Sequence, residues 1–357
     1  MSSTSESEIL LLTRYGRLGA SSRLRYFNYL PGLRRDNFTV RAENFFCDDY
    51  LSKLYLEQPG RWKTILAAYL RRLRSLRHAP KQLLIEYELF PGMPYQIEKI
   101  FLRRRQYILN FDDDVWCKYH HKSLLRNKYD QLVRNASGVI AANDFLLNKV
   151  RQLNSRVVKI PTAIDLTAYH WQGKKFRRLT LVWIGNPATF PYLCNLVPVL
   201  EKLRRHLDYQ LLIIGGKQLN LKEFANLDAT AVDWSIRREN ELLCRCHIGI
   251  MPLPANDEFA RGKSAYKLIQ YSAAGLPMVA SNVGENCNVI ANDFNGFLAA
   301  DDNEFFRRLQ QLSSDEPLRR RLGENARNNA VKFSIEQYLP IMSNFIRECF
   351  EADKGDK

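Results

Sequence analysis

The chain has 357 residues, 46% of them hydrophobic and 25% charged, with a formal net charge of +15. That length exceeds what one core usually fills, so two domains are expected, and the composition excludes a disordered or fibrous chain. Seven cysteines without regular spacing exclude a disulfide framework, and Cys244 and Cys246 stand too close together for a zinc site.

Short apolar runs alternate with helical patterns from the start: EILLL (8–12), FTVRA (38–42), QLLIEYE (82–88), YILNF (107–111), GVIAA (138–142) and VVKI (157–160). The second half repeats this with LTLVWIG (179–185), QLLIIGG (210–216), IGIMPL (248–253) and PMVAS (277–281). The alternation predicts an α/β chain of two doubly wound, Rossmann-like domains facing a central cleft, with ligands at the carboxyl ends of the strands. The domains are expected at 1–168 and 169–332, joined by the polar, basic stretch 165–179. An amphipathic helix with a mobile charged tail follows at 333–357. No apolar run is long enough to cross a bilayer, and the acidic N-terminus is unlike a signal peptide, so a cytoplasmic location is expected.

Residues 1–170 hold 28 Lys/Arg against 16 Asp/Glu, and the remainder 25 against 22. Such a basic half attracts nucleic acid, anionic lipid or acidic substrates alike. Nucleic acid is not expected, because no reading helix or aromatic-studded sheet accompanies the charge. Within RWKTILAAYLRRLRSLRHAPK (61–81), Trp62, Ile65, Leu66, Tyr69, Leu70, Leu73 and Leu76 interleave with basic residues and no acid. That composition fits a helix lying on an anionic membrane surface, or an outer-layer helix with a solvated basic face.

Four further stretches carry chemistry. GRLGASSRLR (16–25) follows the first strand; Gly19 permits close backbone approach, the serines can cap a helix, and Arg23 and Arg25 add positive charge, although an ordinary strand-to-helix turn uses the same residues. FDDDVWCKYHH (111–121) ends a strand with three aspartates; Asp113, then Asp112, are candidates to accept a proton, against a helix-capping role or an Asp-x-Asp metal site. Trp234, at a strand end, offers a face for a base or packs in the core. In RGKSAYKLIQYSAAGLPMVAS (261–281), helical spacing sets Lys263, Lys267, Gln270 and Ala274 on one face at a helix start. Two lysines there are unfavourable unless they are solvated or an anion binds beside the free N–H groups.

Taken together and in order, LVWIGNP (181–187), LLIIGG (211–216), VDWSIRRENELLCRCHIGIMPLP (232–254), the 261–290 stretch and NGFLA (295–299) resemble the donor domain of retaining GT-B glycosyltransferases. The likeness is to glycosyltransferase family 4, glycosyl transferases group 1. RYGRLGASSRLR (14–25), SGVIAANDFLL and KIPTAID (159–165) resemble its N-terminal half. The resemblance implies a retaining, metal-independent hexosyltransferase with no cofactor, which takes a nucleotide-diphosphate sugar as donor. Its acceptor would be lipid-linked or a polysaccharide, in cell-surface glycan synthesis of O-antigen, lipopolysaccharide or capsule type, at the inner face of the cytoplasmic membrane. The alternative is a non-catalytic GT-B-like scaffold partner of another transferase.

The same resemblance implies donor diphosphate and sugar contacts from Gly19, Arg23, Gly185, Asn186, Glu258, Gly262, Lys263, Ser264 and Lys267, and base and ribose contacts from Trp234 and Gln270. Two departures bear on these roles. The family's paired glutamates, with seven residues between them, fall here on Gly262 and Gln270, which leaves Glu258 to reach the sugar. Its arginine and lysine after the first donor-domain strand are replaced by NPATFPYL, so Lys263 and Lys267 are expected to neutralise the diphosphate.

Overall fold

In the computed structural model, which describes residues 8–55, 61–170, 173–215 and 219–351, the strands fall into two parallel sheets. β1 (Ile9–Thr13), β2 (Val40–Asn44), β3 (Gln82–Glu86), β4 (Gln106–Phe111), β5 (Gly138–Ala141) and β6 (Val157–Lys159) run in the order β2-β1-β3-β4-β5-β6. β1, β3 and β5 are buried along their whole length, which is why they read as unbroken apolar runs. Alternate residues feed opposite cores. Leu10, Leu12, Leu83 and Ile85 face the layer that contains the Arg61–Arg77, Tyr95–Leu102 and Asp144–Arg151 helices. Ile9, Leu11, Leu84, Ile108 and Ile140 face Tyr26, Leu33 and the last helix, Ile335–Glu351, through Met342, Phe345, Ile346 and Cys349.

The last helix is therefore a layer of the first unit. That unit comprises the chain up to Ala163 together with the chain from Ile335 onward, and the second unit is Ile164–Ser334. The expected linker 165–179 is built into the second unit. Tyr169 is buried in its core, the Phe176 N–H donates to the Arg245 carbonyl at 2.8 Å, and Lys175 Nζ donates to the Cys246 carbonyl at 2.6 Å. The tail beyond Glu351, expected to be mobile, lies outside the described residues.

The second sheet comprises β7 (Thr180–Ile184), β8 (Gln210–Ile214), β9 (Ala229–Val232), β10 (Ile248–Met251), β11 (Met278–Ser281) and β12 (Gly296–Ala299), in the order β12-β11-β10-β7-β8-β9. Each order turns back once, between β1 and β3 in the first sheet and between β7 and β10 in the second. At such a point the loops leaving adjacent strands diverge and open a crevice at their carboxyl ends. The expected class of two doubly wound parallel sheets is what the chain adopts. Among the described residues no helix is long and apolar enough to cross a membrane.

Candidate functional site

At the β7/β10 turning point, Gly185 follows β7 where any Cβ would overlap the Trp183 ring, so only glycine fits. Asn186 then caps the short turn Pro187–Thr189 reciprocally: the Thr189 N–H donates to Asn186 Oδ1 at 3.1 Å, and the Asn186 N–H donates to Thr189 Oγ1 at 3.3 Å. Beneath this loop, the buried Tyr271 hydroxyl accepts the Ile184 N–H at 3.2 Å and donates to the Ile250 carbonyl at 3.1 Å. It latches the Tyr266–Ala273 helix under both strands.

One turn earlier on that helix, Lys267 reaches the loop. Its Nζ donates to Thr189 Oγ1 at 3.5 Å and stands 4.2 Å from the centre of the Trp183 ring. Among the described residues no carboxylate pairs with it. Burial, and then the neighbouring charge of Lys263, push its pKa well below the ordinary lysine value. A half-buried ammonium without a counter-ion, beside the first N–H groups of a helix, is stabilised by an anion.

The expectation that Lys263 and Lys267 share a helix face is corrected. The helix begins at Tyr266, and Ala265 before it adopts the left-handed conformation (φ 52°), so the helical register cannot extend back to 263. Lys263 lies in the loop over the Phe259 ring at 4.3 Å, between buried Gly262 and half-buried Ser264. Glu258 starts the short Glu258–Arg261 helix, and its side chain lies outside the described residues. In that loop Asp257 accepts the Phe259 N–H at 2.9 Å and the Tyr192 hydroxyl at 2.6 Å.

Gln270 is buried, and its amide donates to Glu239 Oε2 at 3.5 Å. The Trp234 indole N–H donates to the same oxygen, and its half-buried ring packs against the core. The two candidate base and ribose residues are thus joined through a carboxylate that sequence reasoning passed over.

In the first unit, the loop after β1 folds on itself. Any Cβ at Gly19 would overlap Tyr15, so the close approach this glycine permits is to its own loop. Ser22 does not cap a helix; its hydroxyl donates to Glu86 Oε2 at 2.6 Å and accepts the Tyr15 N–H at 3.0 Å. Arg23 is buried and donates to the Arg17 carbonyl at 3.1 Å. Arg25, expected to add open charge, is fully buried: Nε and Nη2 donate to Asn110 Oδ1 at 2.9 and 2.7 Å, and Nη1 to the Ile160 carbonyl at 2.6 Å.

The three aspartates after β4 divide their roles. Asp114 is the capping residue: it accepts the Trp116 N–H at 3.2 Å and pairs with Lys149 at 2.8 Å. Asp112 is buried and accepts the Tyr87 hydroxyl. Asp113 is more open, and the exposed Lys118 lies close enough to feel its charge. Among the described residues no three His, Cys, Asp or Glu side chains are grouped to hold a metal ion.

Residues 178–315 match the family model of glycosyl transferases group 1. No curated protein matches the chain in sequence. Solved structures match nearly all of it. Sucrose-phosphate synthase from Thermosynechococcus elongatus aligns at 15% identity over 97% of this chain and 100% of its own, with a TM-score of 0.70. Anabaena HepE in complex with UDP-glucose aligns at 15% over 97% and 100%, with a TM-score of 0.68. A glycosyltransferase from Rickettsia africae aligns at 15% over 97% and 99%, with a TM-score of 0.67.

The fold is GT-B. Within the first unit of this GT-B chain, sequence reasoning also missed the polar group after β3. Glu88 accepts Lys128 Nζ at 2.5 Å, Arg14 at 3.1 Å and the Tyr129 hydroxyl at 2.9 Å. Burial alone would raise its pKa, but Lys128 and Arg14 outweigh burial and hold it low. Two glutamates alternating inside the apolar run QLLIEYELF were the signal: a carboxylate there is affordable only with partners.

Proposed function

We propose that this chain is a glycosyltransferase that binds a nucleotide-diphosphate sugar in its second unit and transfers the sugar, with retention and without a metal. The acceptor is lipid-linked or a polysaccharide, used in cell-surface glycan synthesis at the inner face of the cytoplasmic membrane. The observation that carries the reading is Lys267, an ammonium with no carboxylate partner among the described residues, at the turning point of a sheet and within a segment that matches glycosyl transferases group 1. UDP-glucose, bound by HepE, is a donor of the required class. As the sugar departs, negative charge builds on the diphosphate; Lys267, Lys263 and the first N–H groups of the Tyr266–Ala273 helix are arranged to stabilise it. Asp113 takes the proton of the acceptor hydroxyl.

Titration calorimetry tests the donor half. Lys267→Ala should weaken a nucleoside diphosphate by about 1.5–3 kcal/mol and leave the bare nucleoside unaffected. Because burial depresses the lysine in the free protein and a bound anion favours its charged form, affinity should fall as pH rises through the depressed pKa. Equal losses for both ligands would remove the lysine from the diphosphate. Asp113→Asn should lower turnover at least ~10-fold with donor affinity unchanged, and a chelator should change neither. Gly262, with no side chain where the family has a carboxylate, favours one second reading, a non-catalytic binding partner; donor binding without transfer or hydrolysis would support it.

A further inference from the structure

We infer that the outer face formed by the Arg61–Arg77 and Tyr95–Leu102 helices is a docking surface for an anionic lipid bilayer. This deepens the membrane part of the proposed function and is independent of the sugar-transfer part.

The Arg61–Arg77 helix has two apolar stripes. Ala68, Tyr69, Leu76 and Ile65 pack on the first core, as a sheet-covering helix must. A second stripe, Trp62, Leu66, Leu70 and Leu73, recurs at three- and four-residue spacing and faces outward, with Trp62 64% and Leu66 54% exposed. The neighbouring helix adds Ile97 and Ile100, the latter 59% exposed, preceded by exposed Met93. The two helices are linked: Arg105 donates to the Leu76 carbonyl at 2.8 Å and to the Phe101 carbonyl, and the Phe90 ring stacks on Tyr69 and lies tilted against Phe101. Isolated exposed apolar residues are ordinary; a stripe repeated at helical spacing, with exposed isoleucines on the helix linked to it, marks an interaction surface.

Charge complementarity selects the occupant. Between residues 61 and 110 the only carboxylates are Glu86, Glu88 and Glu98, and all three are buried. Glu98 is neutralised by Lys128 at 2.7 Å and accepts the Leu89 and Phe90 N–H groups. Every exposed charge described in the stretch is therefore positive: Lys63, Arg71, Arg74, Arg77 and Lys81 on and after the first helix, and Lys99, Arg103 and Arg104 on and after the second. Ile100 shares a surface depression with Pro80, Lys81, Arg103 and Arg104. Apolar side chains among cations, on a stretch with no exposed carboxylate of its own, fit an anionic headgroup layer over acyl chains. Arg72, which sequence reasoning counted with this surface, is buried against Phe45 and donates to the Thr13 carbonyl at 3.1 Å, so it is no part of it.

The test is vesicle co-sedimentation of the full chain with phosphatidylcholine alone and with phosphatidylcholine containing phosphatidylglycerol. Binding should require the anionic lipid and be weakened, not abolished, in about 0.5 M salt. Replacing Arg74, Arg77 and Arg103 with glutamine should lower the partition coefficient roughly 100-fold. Leu66→Asp with Ile100→Asp should abolish it, while nucleoside diphosphate binding by the same sample reports an intact second unit and circular dichroism an intact fold. Bromine-labelled acyl chains should quench fluorescence in the parent and not in Trp62→Phe. Equal partition into neutral and anionic vesicles, or partition unchanged in these variants, overturns the proposal. So does a lipid-independent dimer that Leu70→Asp dissociates, since a second copy would then cover the face.

Discussion

Glu86 ends β3 as a carboxyl group with two very different oxygens. Oε2 accepts the Ser22 hydroxyl at 2.6 Å and the Arg14 N–H at 2.8 Å, whereas Oε1 has no partner among the described residues. Burial, opposed by those two hydrogen bonds and reinforced by Asp112, pushes its pKa from 4.5 to about 7. A carboxyl raised on folding contributes stability that is complete below pH 4.5 and is lost as pH climbs through 7; the span corresponds to roughly 3 kcal/mol. Glu86→Gln cannot ionise and keeps one acceptor oxygen for Ser22 and Arg14. Denaturant titrations at pH 5 and pH 8 should show the variant gaining on the parent by roughly 2.5 kcal/mol between the two, since part of the span is already lost at pH 5. A constant gap would mean that the carboxyl ionises as easily folded as unfolded.

Among the elements, the Tyr266–Ala273 helix shows how a latch positions a charge. Tyr271→Phe leaves the Ile184 N–H and one bond of the Ile250 carbonyl unmet inside the sheet, at a cost of about 1–3 kcal/mol. Calorimetry should record a lower Tm for the second unit, and diphosphate affinity should fall with it because Lys267 rides one turn away. If both stay at parent values, the hydroxyl is no latch. This helix also marks how far the sequence could be read. Its apolar side was legible from spacing, but its start was not, because nothing in SAYK announces a left-handed alanine. Central strands such as β7 were legible as unbroken apolar runs. The edge strand β9 was not, since a half-exposed TAV has no run to show. Lys267 was singled out as one of a pair with Lys263 on a shared helix face, a pairing that the left-handed Ala265 breaks. Glu239 was missed because its partners, Trp234 and Gln270, are set by tertiary packing alone.

For the whole molecule, the last helix matters most. Its Met342, Phe345, Ile346, Cys349 and Phe350 complete one face of the first sheet. At about 1.5–3 kcal/mol for each buried apolar side chain, they contribute on the order of a domain's entire stability. A chain ending at Ser334 should lose hydrogen-exchange protection across β1–β6 while the second unit still binds a nucleoside diphosphate. Retained protection in β1, β3 and β4 would show that the helix is dispensable.

The order of synthesis gives that helix a further consequence. A ribosome releases all six strands of the first sheet before it begins the second unit, and the helix that covers Ile9, Leu11 and Leu84 only after it has finished. At 5–20 residues per second, that leaves an apolar sheet face uncovered for roughly 10–30 s on the nascent chain. In that interval the second unit, whose two ends meet where the Ile164 N–H donates to the Phe333 carbonyl at 2.9 Å, can fold to completion on its own. The unit that begins first is the one that must wait, and a chaperone that binds apolar sheet surface has its substrate there.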